Sequence, residues 1–243
     1  MAPGVTQFAI FAASEAYREN PEVLRPAQEL LAKAPGWRYT YHGLQSEDNA
    51  TAYLLVGWDD LDSHRALIRT PASSEALLSA LQPAIRPRSS SPSPTPSLAS
   101  PAPSSTPLPT STSTSTSAPT PKPPDIDLFH IQFHIAPARA LAAPCTQIAL
   151  VRVRKGATDR DRGRLTGLMV HLEKVVSQAR SACSWGPSVD REGVLAFVAG
   201  WESPEKYQDL VRKSDELAAI ARQISEIADL DVKHARLSLL SSA

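Results

Sequence analysis

Polar and apolar residues alternate most regularly in Asp127-Leu128-Phe129-His130-Ile131-Gln132-Phe133-His134-Ile135, a period of two that predicts a strand. The run Tyr53-Leu54-Leu55-Val56-Gly57-Trp58 is apolar throughout and predicts a strand covered on both faces, with Asp59-Asp60 placed to cap a following helix. That unit returns 143 residues later as Phe197-Val198-Ala199-Gly200-Trp201-Glu202-Ser203. The chain therefore reads as one pattern written twice.

Around the first copy, further strands are predicted at Val5–Phe11, Trp37–Leu44 and Ala50–Trp58. Asn20-Pro21 offers a cap and first-turn proline to a helix bearing Leu24, Leu30, Leu31 and Ala34, which Pro26 kinks. Helical patterns follow from Asp60 to Arg69 and, after Thr70-Pro71, from Ser74 through Leu81. In the second copy strands are predicted at 145–153, 184–189, 194–201 and 231–239. Leu165, Leu168, Met169, Leu172, Val175, Val176 and Ala179 form a helical stripe, Ser203-Pro204 opens a helix, and Leu217, Ile220 and Ile224 mark another. By register, the strand at 127–135 corresponds to 231–239.

Residues 87–124 break the pattern, since 31 of 38 are Pro, Ser or Thr. Such a stretch cannot bury enough apolar surface to offset its ordering entropy, and it is expected to be a disordered insert. It interrupts the first unit before its last strand. The fold class expected is α+β, with two ferredoxin-like β-α-β-β-α-β repeats at 4–137 and 145–240. Each repeat leaves one sheet face bare, and pairing the two closes eight strands into a single-chain pseudo-dimeric α+β barrel.

Composition narrows the partners. Twenty-five basic residues balance twenty-five acidic ones in 243, which argues against nucleic acid. No apolar run reaches the roughly 20 residues of a membrane span, and the N-terminal stretch reads as a strand rather than a signal peptide. Only Cys145 and Cys183 are present, fitting a reducing, cytoplasmic setting. HExxH, GxGxxG, P-loop and Gly-x-Ser-x-Gly patterns are absent, removing zincin, dinucleotide, NTPase and α/β-hydrolase chemistry. No metal and no cofactor are expected. An intramolecular pseudo-dimer acting as a monomer is.

Thr6-Gln7 and Thr146-Gln147, His42-Gly43 and Trp185-Gly186, Gly57-Trp58 and Gly200-Trp201, and Arg69-Thr70-Pro71-Ala72-Ser73 occur in matching order. In these motifs the chain resembles the dimeric α+β barrel superfamily, in particular the stress-responsive A/B barrel proteins and the antibiotic-biosynthesis monooxygenases. The resemblance implies a small-molecule cavity between sheet and helices in each half. Polyketide cyclases of the A/B barrel type also resemble the chain and use histidines and a tyrosine at positions matching Gln7, Ala52, Leu67 and Ser73, or Gln147, Leu195, Leu210 and Glu216. None of these eight supplies such a side chain. Haem chemistry, which the superfamily supports, would need an axial His, for which His64 is the nearest candidate.

A polar, partly aromatic ligand site is expected in the first half, from Gln7, His42, Trp58 and His64 with His130, Gln132 and His134. The bland alternative takes the same histidines as satisfied core or surface residues. Second-half Gln147, Trp185, Trp201, Tyr207, His171 and His234 read as scaffold. The resemblance implies a small-molecule-binding protein, either a carrier or a cofactor-independent enzyme for an aromatic or polyketide-like metabolite. The alternative is a non-catalytic stress-response or interaction protein with a structural barrel.

Overall fold

The computed structural model describes residues 4–87 and 125–242; the expected insert lies outside the described residues. Strands β1 (Val5–Ala12), β2 (Trp37–Gln45), β3 (Thr51–Trp58) and β4 (Ile126–Ile131) belong to the first half. Strands β5 (Cys145–Val153), β6 (Cys183–Pro187), β7 (Val194–Trp201) and β8 (Ala228–Ser242) belong to the second. They form one antiparallel sheet in the order β4-β1-β3-β2-β8-β5-β7-β6. The first four positions repeat as the last four when read through the matching strands, 4-1-3-2 against 8-5-7-6.

The edges do not stay open. Gln132 N–H donates to the Pro187 carbonyl at 3.0 Å, Val189 N–H to His130 at 3.0 Å and His134 N–H to Trp185 at 3.2 Å. These bonds bring β4 against β6 and satisfy backbone groups that an edge strand would leave bare. The strand expected over 127–135 is therefore two pieces: 126–131 pairs with β1, and the continuation crosses to β6. Strand β8 does the same without a break, pairing with β5 over 228–235 and with β2 over 235–242. A glycine stands at each crossing. A Cβ on Gly43 would lie 2.1 Å from the Arg236 carbonyl oxygen, and one on Gly186 2.0 Å from that of Gln132.

Central strands are buried on both faces, which is why β3 reads as an unbroken apolar run. Phe8, Tyr41, Tyr53, Phe129, Ile131, Phe133, Ile148 and Leu150 fill the space enclosed by the sheet. On the outer face of the first half, Val5, Ala9, Phe11, Leu54, Val56 and Trp58 pack against helices. These are α1 (Glu15–Glu19), α2 (Arg25–Leu31), α3 (Leu61–Arg69) and α4 (Pro71–Leu81). The helix expected from Asn20 is two pieces, a 3-10 turn at Pro21–Leu24 that Asn20 caps and α2 with Pro26 in its first turn, and Ser14 caps the additional α1 ahead of them. Pro71 opens α4 rather than merely ending α3, as its missing N–H allows.

The outer face of the second half carries α6 (Asp159–Gln178), α7 (Pro204–Lys213) and α8 (Asp215–Ile227), after a short α5 (Ala138–Leu141) that joins the halves. A reciprocal Thr158–Asp161 capping box starts α6. Ser203 and Ser214 cap α7 and α8 through bonds to Lys206 N–H and Leu217 N–H.

Candidate functional site

Five first-half and cross-half side chains form a continuous chain of contacts, buried except at Asp190. Strand register sets Gln7 opposite His130, and Asp60, by accepting from Ser63 N–H, starts α3 so that His64 falls on its inner face. Trp58 Nε1–H donates to Gln7 Oε1 at 3.0 Å, and the Trp58 and His64 rings lie 5.4 Å apart. His64 Nδ1 is 2.8 Å from His130 Nε2, and His130 Nδ1 is 2.7 Å from Asp190 Oδ2. Asp190 Oδ1 also accepts from the His130 backbone N–H at 3.0 Å.

A carboxylate can only accept, so His130 Nδ1 carries hydrogen; where that imidazole is neutral its Nε2 accepts and a neutral His64 donates from Nδ1. Burial, with His130 beside it, pushes the His64 pKa down to about 4 against a weaker upward pull from Asp190. Burial opposes ionisation of Asp190, but bonds from His130 and Ser188 outweigh it and hold the carboxyl below its ordinary range. His64, His130 and Asp190 thus satisfy one another at their facing atoms, and the chain reaches the surface at Asp190.

The second half rebuilds the arrangement with one change. Trp201 Nε1–H donates to Gln147 Oε1 at 3.0 Å, and Gln147 lies opposite His234 as Gln7 lies opposite His130. Glu47 Oε1 accepts from His234 Nδ1 and from its backbone N–H, both at 2.9 Å. Each histidine is therefore held by a carboxylate from the other half. The change is at the His64 position, where α7 supplies Tyr207. Its ring lies 5.6 Å from Trp201 and 4.6 Å from His234. His234 Nε2 is buried and has no hydrogen-bond partner.

Beside this change lies an apolar cavity of about 160 Å³. Its floor is Gln147, Ala149, Val151 and Phe197 with Leu230 and Val232; Leu172 and Val176 of α6 and Ile220 and Ile224 of α8 form walls. Trp201 and Tyr207 border it, and exposed Val211, Ala218 and Ala221 carry it to the surface. Burial, then the Glu47 carboxylate, raises the Tyr207 pKa and keeps its hydroxyl protonated. Of the residues read from sequence as second-half scaffold, Gln147, Trp201 and Tyr207 line this apolar cavity, whereas Trp185, His171 and His234 do not.

Of the first-half candidates, Gln7, Trp58, His64 and His130 come together, whereas His42 does not join them. Its Nδ1 is 2.8 Å from the Tyr17 hydroxyl, beneath a groove of about 410 Å³ shared with Arg236 and Ser238. Burial lowers the His42 pKa despite an opposing pull from Glu22. Gln132 lies on the crossing segment. His134 is half-exposed, bonding the Trp185 carbonyl at 2.7 Å and Glu173 at 2.9 Å. Among the described residues no group of three or more His, Cys, Asp or Glu is placed to hold a metal, and no helix is long and apolar enough to cross a membrane.

Sequence reasoning missed Glu47 and Asp190. A signal was present: they are separated by the same 143 residues as Trp58 and Trp201, each in the turn before its third strand.

No protein-family model and no curated protein sequence matches the chain. Solved structures do. A protein from Lactobacillus acidophilus assigned as a monooxygenase superposes with a TM-score of 0.55 at 10% identity, covering 99% of this chain and 98% of its own. An anthrone oxidase-like protein gives 0.57 at 10% identity, over 99% and 94%. A chlorite dismutase from Candidatus Nitrospira defluvii gives 0.51 at 11% identity, over 98% and 91%. The chain has the dimeric α+β-barrel fold. At these identities the likeness carries fold alone, and chemistry must come from the residues.

Proposed function

We propose that this α+β barrel protein binds a small aromatic molecule in the second-half cavity and acts on it without metal or nucleotide. The observation that carries the reading is the cavity itself: about 160 Å³ of mostly aliphatic wall with the few polar groups of Gln147, Trp201 and Tyr207 at one end. A dry cavity of about this size accommodates one benzene-sized ring. The space inside the barrel is largely filled by side chains, and the cavity of about 220 Å³ bordered by Tyr53, Ile148 and Leu150 is ringed by Asp127, Arg152, Asp231 and Lys233, a charged lining that suits an apolar ring poorly. A fused-ring polyketide would require α7, which has no fully buried residue, to swing outward.

In this reading the two halves are copies of one repeat, 4–137 and 145–240, acting as a cytoplasmic monomer, and only the second copy keeps an open site. The first copy closes its own by the His64–His130 bond. Ala149→Leu, which places three more carbons into the cavity, tests this. Aromatic compounds that raise the melting temperature of the native protein should lose that effect in the variant, while its own melting temperature stays level or rises. Unchanged ligand response in a folded Ala149→Leu protein would move the site elsewhere. Failure of every small aromatic to stabilise the native protein would favour a structural barrel.

A further inference from the structure

We infer that Glu47 and His234 form a proton-accepting pair whose unoccupied ring nitrogen takes the hydroxyl of a small phenol bound in the second-half cavity. This deepens the cavity reading above and rests on it. Two bonds to one carboxylate oxygen, from Nδ1–H and from the backbone N–H, fix the imidazole and its tautomer. The remaining nitrogen, Nε2, is then an acceptor. It is buried without a partner, a state that costs free energy unless something donates to it.

The first half shows what that nitrogen is shaped to receive. There the corresponding Nε2, on His130, meets a donor in an aromatic ring, His64 Nδ1, at 2.8 Å. Tyr207 replaces His64 and lies tilted over the His234 ring at 4.6 Å without bonding Nε2, so the donor's place is left open to a ligand. Strand periodicity puts Leu230, Val232 and His234 on one face, and the first two line the cavity, as does Gln147 directly across from His234. His234 is not itself a lining residue, but Gln147 across from it and Tyr207 over its ring both border the apolar space, which places the acceptor next to the cavity's polar groups. A ring bearing a hydroxyl meets both demands.

Chemically, the O–H bond of the phenol breaks, its proton joins Nε2, and the electron pair stays on oxygen. The imidazolium formed is neutralised by the Glu47 carboxylate, with no redox change. A weakly acidic phenol stays hydrogen-bonded to the imidazole, while a more acidic one transfers its proton.

The experiment compares toluene, phenol and 4-nitrophenol on the full chain by calorimetry and absorbance. A wholly apolar cavity discriminates against phenol, because its hydroxyl is desolvated without compensation. In the native protein phenol should compete with toluene. In His234→Leu the phenol-to-toluene Kd ratio should rise at least tenfold, with toluene itself little changed. Bound 4-nitrophenol should show its yellow anion at lower pH in the native protein than in Glu47→Gln. The His234 imidazole 15N resonances of the native protein should move with phenol and not with toluene, a readout that needs no variant. If toluene binds, yet the ratio stays level in His234→Leu or, should that variant not fold, the 15N resonances ignore phenol, the cavity stands and the proton acceptor falls. If toluene does not bind the native protein, both fall.

Discussion

Removing the titratable group from the closed first-half chain should flatten the acid side of the stability profile. His64 takes its proton near 6.5 when unfolded and only near 4 when folded, because burial and the adjoining His130 disfavour its charge. Between those values the unfolded chain binds more protons, so the free energy of unfolding falls as pH drops from about 6.5 towards 4 and is flat above. A gap of about 2.5 pKa units corresponds to about 3 kcal/mol in full, of which about 2 kcal/mol has been lost by pH ~5. His64→Gln can still hydrogen-bond His130 Nε2 but cannot titrate. Urea unfolding of both proteins from about pH 7.5 to 4.5 gives the two slopes. His42, whose pKa burial also lowers, and Asp48 and Asp190, whose carboxyls are held below their ordinary range, push in the same direction. They are common to both proteins and cancel in the difference. The variant should start about 1 kcal/mol less stable for its poorer packing, draw level with the native protein near pH ~6 and be the more stable of the two by about 1 kcal/mol at pH ~5. Parallel curves would refute the assignment of a buried neutral imidazole at His64.

Ala at Gly43 or Gly186 should cost about 1–3 kcal/mol or more in thermal melts, since the new methyl meets a crossing backbone near 2 Å, whereas Gly167→Ala on α6, with open space beside it, should gain about 0.5–1 kcal/mol. Gln7→Leu and Gln147→Leu each strand a buried indole N–H and should lose about 1–3 kcal/mol by chemical denaturation. Equal losses would support matched roles in the two halves, and a loss confined to one would oppose them. Asp190→Ala leaves two His130 donors unpaired and should destabilise by about 2–3 kcal/mol, and unfolding that stays a single transition would show that the halves melt together.

Much of the fold was legible because burial on both faces writes itself into a strand. The apolar run at 53–58, its copy at 194–201 and the serine and aspartate caps beyond them locate sheet and helices without further help. What sequence could not show was where a strand changes partner. The alternation at 127–135 is regular because the chain stays extended across the seam, even though its hydrogen bonds pass from β1 to β6 midway. The candidate site was only partly legible for a related reason. Periodicity places Gln7, Trp58, His64 and His130 on one covered face, but it cannot tell a satisfied cluster from an open one. That distinction depends on carboxylates arriving from the opposite half and on the shape of one residue on α7.

The cross-half carboxylates tie the two halves of the chain to one another. Asp190 stands in the turn between β6 and β7 yet orients His130 on β4, and Glu47 stands between β2 and β3 yet orients His234 on β8. Neither histidine would have its tautomer set if its own half stood alone, so each candidate site is finished by the seam that joins the halves. With the shared frame fixed in this way, a single position decides what each site becomes. At that position an imidazole on α3 reaches the acceptor nitrogen and shuts the first site, leaving a pH-sensitive buried pair. A phenol ring of similar placement on α7, itself bordering an apolar space, lies over the histidine without bonding it and leaves the histidine's Nε2 unpaired. Exchanging the two should exchange the behaviour: in Tyr207→His the introduced imidazole should donate to His234 Nε2 and remove the excess affinity for phenol over toluene. An unaltered preference in that variant, with the new imidazole-to-His234 hydrogen bond visible by NMR, would show that the phenol is held by some other group.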